Sequence, residues 1–158
     1  MTALMNAVKN NNVALVGELI KQGINVNELD VNKDAPLIIA AYNGYTEIVK
    51  LLLESGADVS VVDPGMKATA LHAAAYAGNA EVAKLLIEHK IDIDKQGPYN
   101  GYTALHDAVW QNNIETAQIL IEAGANLNIK SHTGETPLEF AKSRNHREII
   151  ALIEQKMG

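Results

Sequence analysis

"APLIIAAYNGYTEIVKLLLESGADV", Ala35–Val59, holds two short apolar stretches, the first ending at Asn43-Gly44 and the second at Ser55-Gly56. Its meaning depends on whether it recurs, and it recurs four times. Segments starting at Thr2, Ala35, Thr69, Thr103 and Thr136 read "TALMNAVKNN", "APLIIAAYNG", "TALHAAAYAG", "TALHDAVWQN" and "TPLEFAKSRN", spaced 33, 34, 34 and 33 residues apart. The third residue is leucine in every copy (Leu4, Leu37, Leu71, Leu105, Leu138), and the sixth is alanine (Ala7, Ala40, Ala74, Ala108, Ala141). A second apolar stretch follows each time, as in "EVAKLLIEHKIDI". A fixed period of this length is the mark of a repeat architecture.

Local signals give each copy a helical start and stop. Thr69, Thr103 and Thr136 stand where an N-cap is wanted. "TPLE" adds proline at the first helical position and Glu139 three residues after the cap, a capping box. The first helix of each copy is about ten residues and stops near Gly44, Gly78 or an asparagine, residues that accept the left-handed conformation. Alanine at the sixth position lets neighbouring helices approach closely. One such helix pair cannot bury its faces alone, so stacking must supply the core.

On these residues the chain resembles the ankyrin-repeat family, whose pattern T-P-L-H-x-A-A-x-x-G, then E-V-V-x-L-L-L-x-x-G-A-D, is nearly whole in Ala35–Val59. The resemblance runs from Thr2 to about Lys156. It implies an all-α solenoid of five ankyrin repeats, each a helix-turn-helix, with β-hairpin-like loops projecting between repeats and a concave groove. The expected organisation is one domain over 1–158, with repeats of about 1–30, 31–63, 64–96, 97–130 and 131–158. The outer two act as caps: Glu18 replaces the apolar residue of Leu51, Leu85 and Ile119, while Lys142 and Glu154 replace apolar residues at the other end. Departures from the pattern are Lys33 and Lys67 where loops usually carry glycine, and His89-Lys90 where glycine usually ends the second helix. The third and fourth loops, "DPGMKA" and "GPYNGY", each carry one extra residue and should differ in shape from the others.

Composition narrows function. The net charge is -6, and no lysine or arginine cluster offers the basic stripe that a phosphate backbone requires. Cysteine is absent, which removes disulfides and thiolate chemistry. The segment "MTALMNAVKNNN" lacks a basic n-region and an apolar h-region, and the longest apolar run, "PLIIAA", is too short to span a bilayer. A soluble, cytoplasmic protein with no membrane association is expected from the sequence as it stands, with a periplasmic or secreted location after removal of a leader as the alternative. The histidines have no partners at metal-ligand spacing. His72 and His106 occupy the position where the family bonds histidine to backbone, and His106 and Asp107, as helix neighbours, point apart. Glu47, Glu81, Glu115 and Glu148 share one register, that of a solvated helix start. No phosphate-binding glycine loop or nucleophile elbow is present. Neither a metal nor a cofactor is expected, and the protein should not be an enzyme.

Positions that vary between copies need a reason other than packing. The eighth position reads Lys9, Tyr42, Tyr76, Trp110, Ser143, an aromatic stripe holding the only tryptophan. The fifth reads Asn6, Ile39, Ala73, Asp107, Phe140, and the ninth Asn10, Asn43, Ala77, Gln111, Arg144. In ankyrin proteins this face lines the groove. The rings either stack on one another and stiffen the array, or anchor a partner. The expected partner site is Tyr42, Asn43, Tyr76, Asp107, Trp110, Gln111 and Arg144 on the helices, with Met66, Tyr99, Asn100 and Tyr102 in the loops. The implied function is a protein-interaction module that binds a folded protein, commonly as a stoichiometric inhibitor or regulator, and is a monomer on its own. The alternatives are a passive scaffold or adaptor and, with less support, a nucleic-acid or small-ligand binder.

Overall fold

The threonines start the helices as expected. In the computed structural model, which describes residues 2–158, the Thr2 hydroxyl accepts from Met5 N at 3.0 Å. The Thr69, Thr103 and Thr136 hydroxyls accept likewise from the backbone N–H of His72, His106 and Glu139. The second repeat has Ala35 at this place, with no side-chain cap, and Pro36 opens the helix instead. First helices follow: α1 Ala3–Lys9, α3 Pro36–Asn43, α5 Ala70–Ala77, α7 Ala104–Trp110 and α9 Pro137–Ser143. The second helices are α2 Val13–Lys21, α4 Thr46–Glu54, α6 Ala80–Glu88, α8 Ile114–Glu122 and α10 Arg147–Met157. Among the described residues there is no strand; the single isolated bridge pairs Val62 with Thr69. The fold is an all-α repeat solenoid.

The constant alanines explain the stacking. Ala7, Ala40, Ala74, Ala108 and Ala141 are all essentially without exposure. Around them lie Leu4, Leu37, Leu71 and Leu105 from the first helices, with Ile48, Leu52, Val82, Leu86, Leu120, Ile149 and Ile153 from the second. Each first helix packs on the first helix of the next repeat, and each second helix on the next second helix. One core therefore runs the length of the array. The ends differ, as the charged substitutions require. Glu18 is exposed, and Lys142 pairs with Glu154 at 3.8 Å on an open face.

Polar side chains tie successive repeats. Asn79 Nδ2 donates to the Ala41 and Tyr42 carbonyls at 2.8 and 2.9 Å, and Asn113 Nδ2 to those of Ala75 and Tyr76 at 2.7 and 3.1 Å. Gly44 and Gly78, both left-handed, leave room for these asparagines. A Cβ on Gly44 would stand 2.8 Å from Asn79 Oδ1. His72 Nδ1 accepts from Thr69 N, which leaves Nε2 to donate to Tyr102 O at 3.0 Å. His106 repeats the pattern with Thr103 N and Glu135 O. Both histidines are neutral clamps between one repeat's cap and the next repeat's loop.

The loops close on themselves through one backbone bond at a constant place. It joins Asp30 N to Asp34 O, Asp63 N to Ala68 O, Gly97 N to Tyr102 O and Ser131 N to Glu135 O. The extra residue of the third and fourth loops is absorbed inside this closure, so their tips are wider. Asp63 organises the third: Oδ2 accepts from Gly65 N and Met66 N, and Oδ1 from Ala68 N at 2.7 Å. Lys33, Lys67 and Lys90 hold the left-handed conformation usually given to glycine, at φ 68°, 55° and 66°.

Candidate functional site

The fifth and eighth positions of α3, α5 and α7, together with the loops above them, enclose a hollow of about 460 Å³. Its helix walls are Ile38, Ile39, Tyr42, His72, Ala73, Tyr76, Asp107 and Trp110. Asp34, Asp63, Met66 and Asn100 close it from the loops. Ala73 lines the hollow with a short side chain. At the fifth position its neighbours in adjacent repeats are Ile39 and Asp107, and the short side chain between them leaves space unfilled. The periodic face located this wall, but the contributions of Asp34 and Asp63 depend on how the loops fold over it. The signal for them was present in their own spacing, since Asp34 and Ala68, like Asp63 and Gly97, stand 34 residues apart.

The aromatic stripe divides into two parts. Tyr42 is 52% exposed and, among the described residues, meets no other ring. Tyr76 and Trp110 meet edge to face, with centroids 5.9 Å apart and planes at 83°. Trp110 also meets Tyr102 edge-on at 5.6 Å. Tyr102 is half-buried, stacked on the His106 ring at 5.4 Å and tilted against Phe140 at 5.3 Å. The Arg144 guanidinium lies over Phe140 at 5.0 Å and Trp110 at 5.9 Å. Stiffening by ring contact is thus present between α5, α7 and α9, while Tyr42 and part of Tyr76 and Trp110 stay open to solvent.

The remaining expected residues lie as follows. Met66 is exposed and lines the hollow. Asn100 lines it too, its Oδ1 accepting from Tyr102 N at 2.9 Å. Tyr99 is 62% exposed, outside the hollow, and its carbonyl faces His132 Nδ1 at 3.2 Å. Asn43 is exposed, and its side chain donates to Ile39 O. Gln111 is exposed at the end of α7.

Asp107 is unlike the rest. It is only 8% exposed, and no hydrogen bond or ion pair among the described residues reaches its carboxyl. Burial pushes its pKa up to about 8. Burial also depresses His72 and His106, partly opposed by their backbone bonds to Tyr102 and Glu135. Among the described residues, no group of histidines and carboxylates converges as a metal site. His132 is occupied with the backbone of the fourth loop, its own N–H donating to Asn100 O at 2.9 Å. No helix among the described residues is long and apolar enough to cross a membrane.

A stacked-helix solenoid with an aromatic-walled hollow on one side has the form of a repeat protein that presents a binding surface. The sequence matches the family described as ankyrin repeats (three copies) over residues 1–63 and 60–131, and the chain belongs to that family. It is 35% identical to an ankyrin repeat protein of Rickettsia bellii, over 44% of this chain and 39% of that one. It is 42% identical over 62 residues to the E3 ubiquitin-protein ligase KEG of Arabidopsis thaliana, 39% of this chain and 4% of the ligase. A third relative is a glycerophosphocholine phosphodiesterase of Schizosaccharomyces pombe, 43% identical over 63 residues, or 39% of this chain and 6% of the enzyme. The chain spans less than half the length of each of these relatives. Ankyrin repeats are in general protein–protein interaction modules, and typically non-catalytic.

Proposed function

We propose that this chain is a non-catalytic module that grips a folded partner protein through its concave side and regulates or inhibits that partner by stoichiometric occupation. The observation that carries this reading is the exposure of Tyr42, Tyr76, Trp110 and Met66 around one hollow. Large rings left in solvent forgo burial that a partner restores. The contact surface is Tyr42, Asn43, Tyr76, Asp107, Trp110, Gln111 and Arg144, with Met66, Tyr99, Asn100 and Tyr102 at the loops. The charged end faces disfavour end-to-end stacking, so the free protein is a monomer. With net charge -6 and no basic stripe, duplex DNA is not its partner.

The test is affinity capture with this chain as bait, followed by titration of the captured protein against variants. Trp110→Ala and Tyr76→Ala should each weaken binding by about thirty-fold, the equivalent of about 2 kcal/mol for a true anchor. Glu88→Ala and Glu122→Ala, exposed on second helices away from the groove, should leave it unchanged. If the glutamate pair abolished binding while the aromatic variants did nothing, the partner would lie on the convex side.

A further inference from the structure

The hollow holds an acid that the rest of the molecule leaves without a partner. Asp107 is more than nine-tenths buried, yet its carboxyl has no donor and no counterion among the described residues, and it lines the hollow. Asp34 and Asp63 line the same space, while no lysine or arginine does. Asp63 already accepts three backbone bonds within its own loop, and Asp34, also without a side-chain partner among the described residues, is only half-buried, so Asp107 is the most deeply buried carboxylate with free capacity. Beside Ile38, Ile39, Met66 and His72, the walls include the rings of Tyr42, Tyr76 and Trp110, and ring faces attract cations. At the fifth position the other repeats carry Asn6, Ile39, Ala73 and Phe140, so packing alone does not call for an acid here. An ionised carboxylate buried without a partner is costly, so Asp107 keeps its proton in the free protein, and a cation that enters its site offsets the cost of ionising it.

We infer that the hollow receives one basic side chain, arginine or lysine, from the partner protein, with the cation against Asp107 and its aliphatic stem along Tyr42, Ala73 and Tyr76. The inference rests on the reading that this side contacts a protein. A volume of about 460 Å³ lies within the range that holds a side-chain-sized ligand. Trp110 reports on the site directly, because it is the only tryptophan and stands in the wall. Arg144 already places its guanidinium over the Trp110 ring at 5.9 Å, the same kind of contact made from within the chain.

The experiment uses the full chain and pentapeptides with a central arginine, lysine or citrulline flanked by glycines, at constant ionic strength, with Trp110 fluorescence as readout. The arginine or the lysine peptide should bind saturably, in the millimolar range. The uncharged citrulline peptide should bind at least about tenfold more weakly. Asp107→Asn should erase that preference, and Ala73→Ile, which fills the hollow with the residue found at position 39, should abolish binding by all three. No saturable response to either basic peptide, an equal response to citrulline, or full retention in Asp107→Asn would each overturn the inference. Partner capture that depends on Tyr76 and Trp110 alongside failed peptides removes only this inference. Peptide binding as expected, with a captured partner indifferent to the aromatic variants, removes only the groove reading.

Discussion

Asp107 makes the stability of this protein depend on pH in an unusual direction. Its folded pKa is pushed up from an ordinary 3.8 to about 8 by burial, so between these values the folded state holds a proton that the unfolded chain has released. Stability falls with rising pH wherever the folded state binds more protons. The contribution is therefore whole below about pH 4 and is lost progressively as pH rises towards 8. At about 1.4 kcal/mol per pH unit, the loss between pH 5 and pH 8 is roughly 3–4 kcal/mol. With a urea m-value of about 2 kcal/mol per M, this moves the midpoint down by about 1.5–2 M. His72 and His106 act oppositely on the acid side: their depressed pKa values mean stability is lost as pH falls below about 6.5. Comparison with Asp107→Asn removes that background, since both proteins keep both histidines. The assay is urea unfolding of both proteins at half-unit steps from pH 5 to 8.5. The wild type should lose stability relative to the variant steadily across the range, and the variant should be the more stable at pH 8. Curves that run parallel to within about 0.5 kcal/mol, a tenth or so of the expected span, would refute the claim that Asp107 is buried without a partner.

Three further outcomes follow from the repeat geometry. Thr116 Oγ1 is buried with no hydrogen-bond partner, while the equivalent residues are Ile48, Val82 and Ile149; Thr116→Val should stabilise by about 1 kcal/mol or more, raising the thermal midpoint by about 2–4 °C. Lys90 holds φ 66° where Gly23, Gly56 and Gly124 stand in other copies, so Lys90→Gly should stabilise by about 1 kcal/mol in calorimetry, and a loss would contradict the strain argument. Gly78→Ala should destabilise by about 2 kcal/mol or more, because φ is 77° and the new Cβ would meet Asn113 Oδ1 at 3.0 Å, disturbing the bonds to Ala75 and Tyr76. Denaturant unfolding that left the Gly78 variant unchanged would show that Asn113 does not tie the repeats.

The sequence by itself determined the period, the helix starts and stops, and the buried leucines and alanines. These are short-range matters: a threonine cap needs only the N–H three residues on, and five copies separate packing positions from variable ones. It marked Lys33, Lys67 and Lys90 only as departures from the glycine pattern; that they keep glycine's left-handed backbone was decided by the structure. The candidate site was legible in part. Tyr42, Tyr76, Trp110 and Asp107 were placed on one face by helical spacing alone. Only the tertiary structure decided what that face becomes. Tyr102 turns inward between His106, Trp110 and Phe140, while Tyr99, three residues earlier, stays in solvent. Asp34 and Asp63 arrive over the hollow because the loops fold back onto helices of the following repeats. Asp107 is left with only 8% exposure because the neighbouring repeats pack around it. Burial on this face is set by side chains of neighbouring repeats, about 34 positions apart, and their separation in space depends on the angle and rise between stacked repeats, which a single copy of the pattern does not contain.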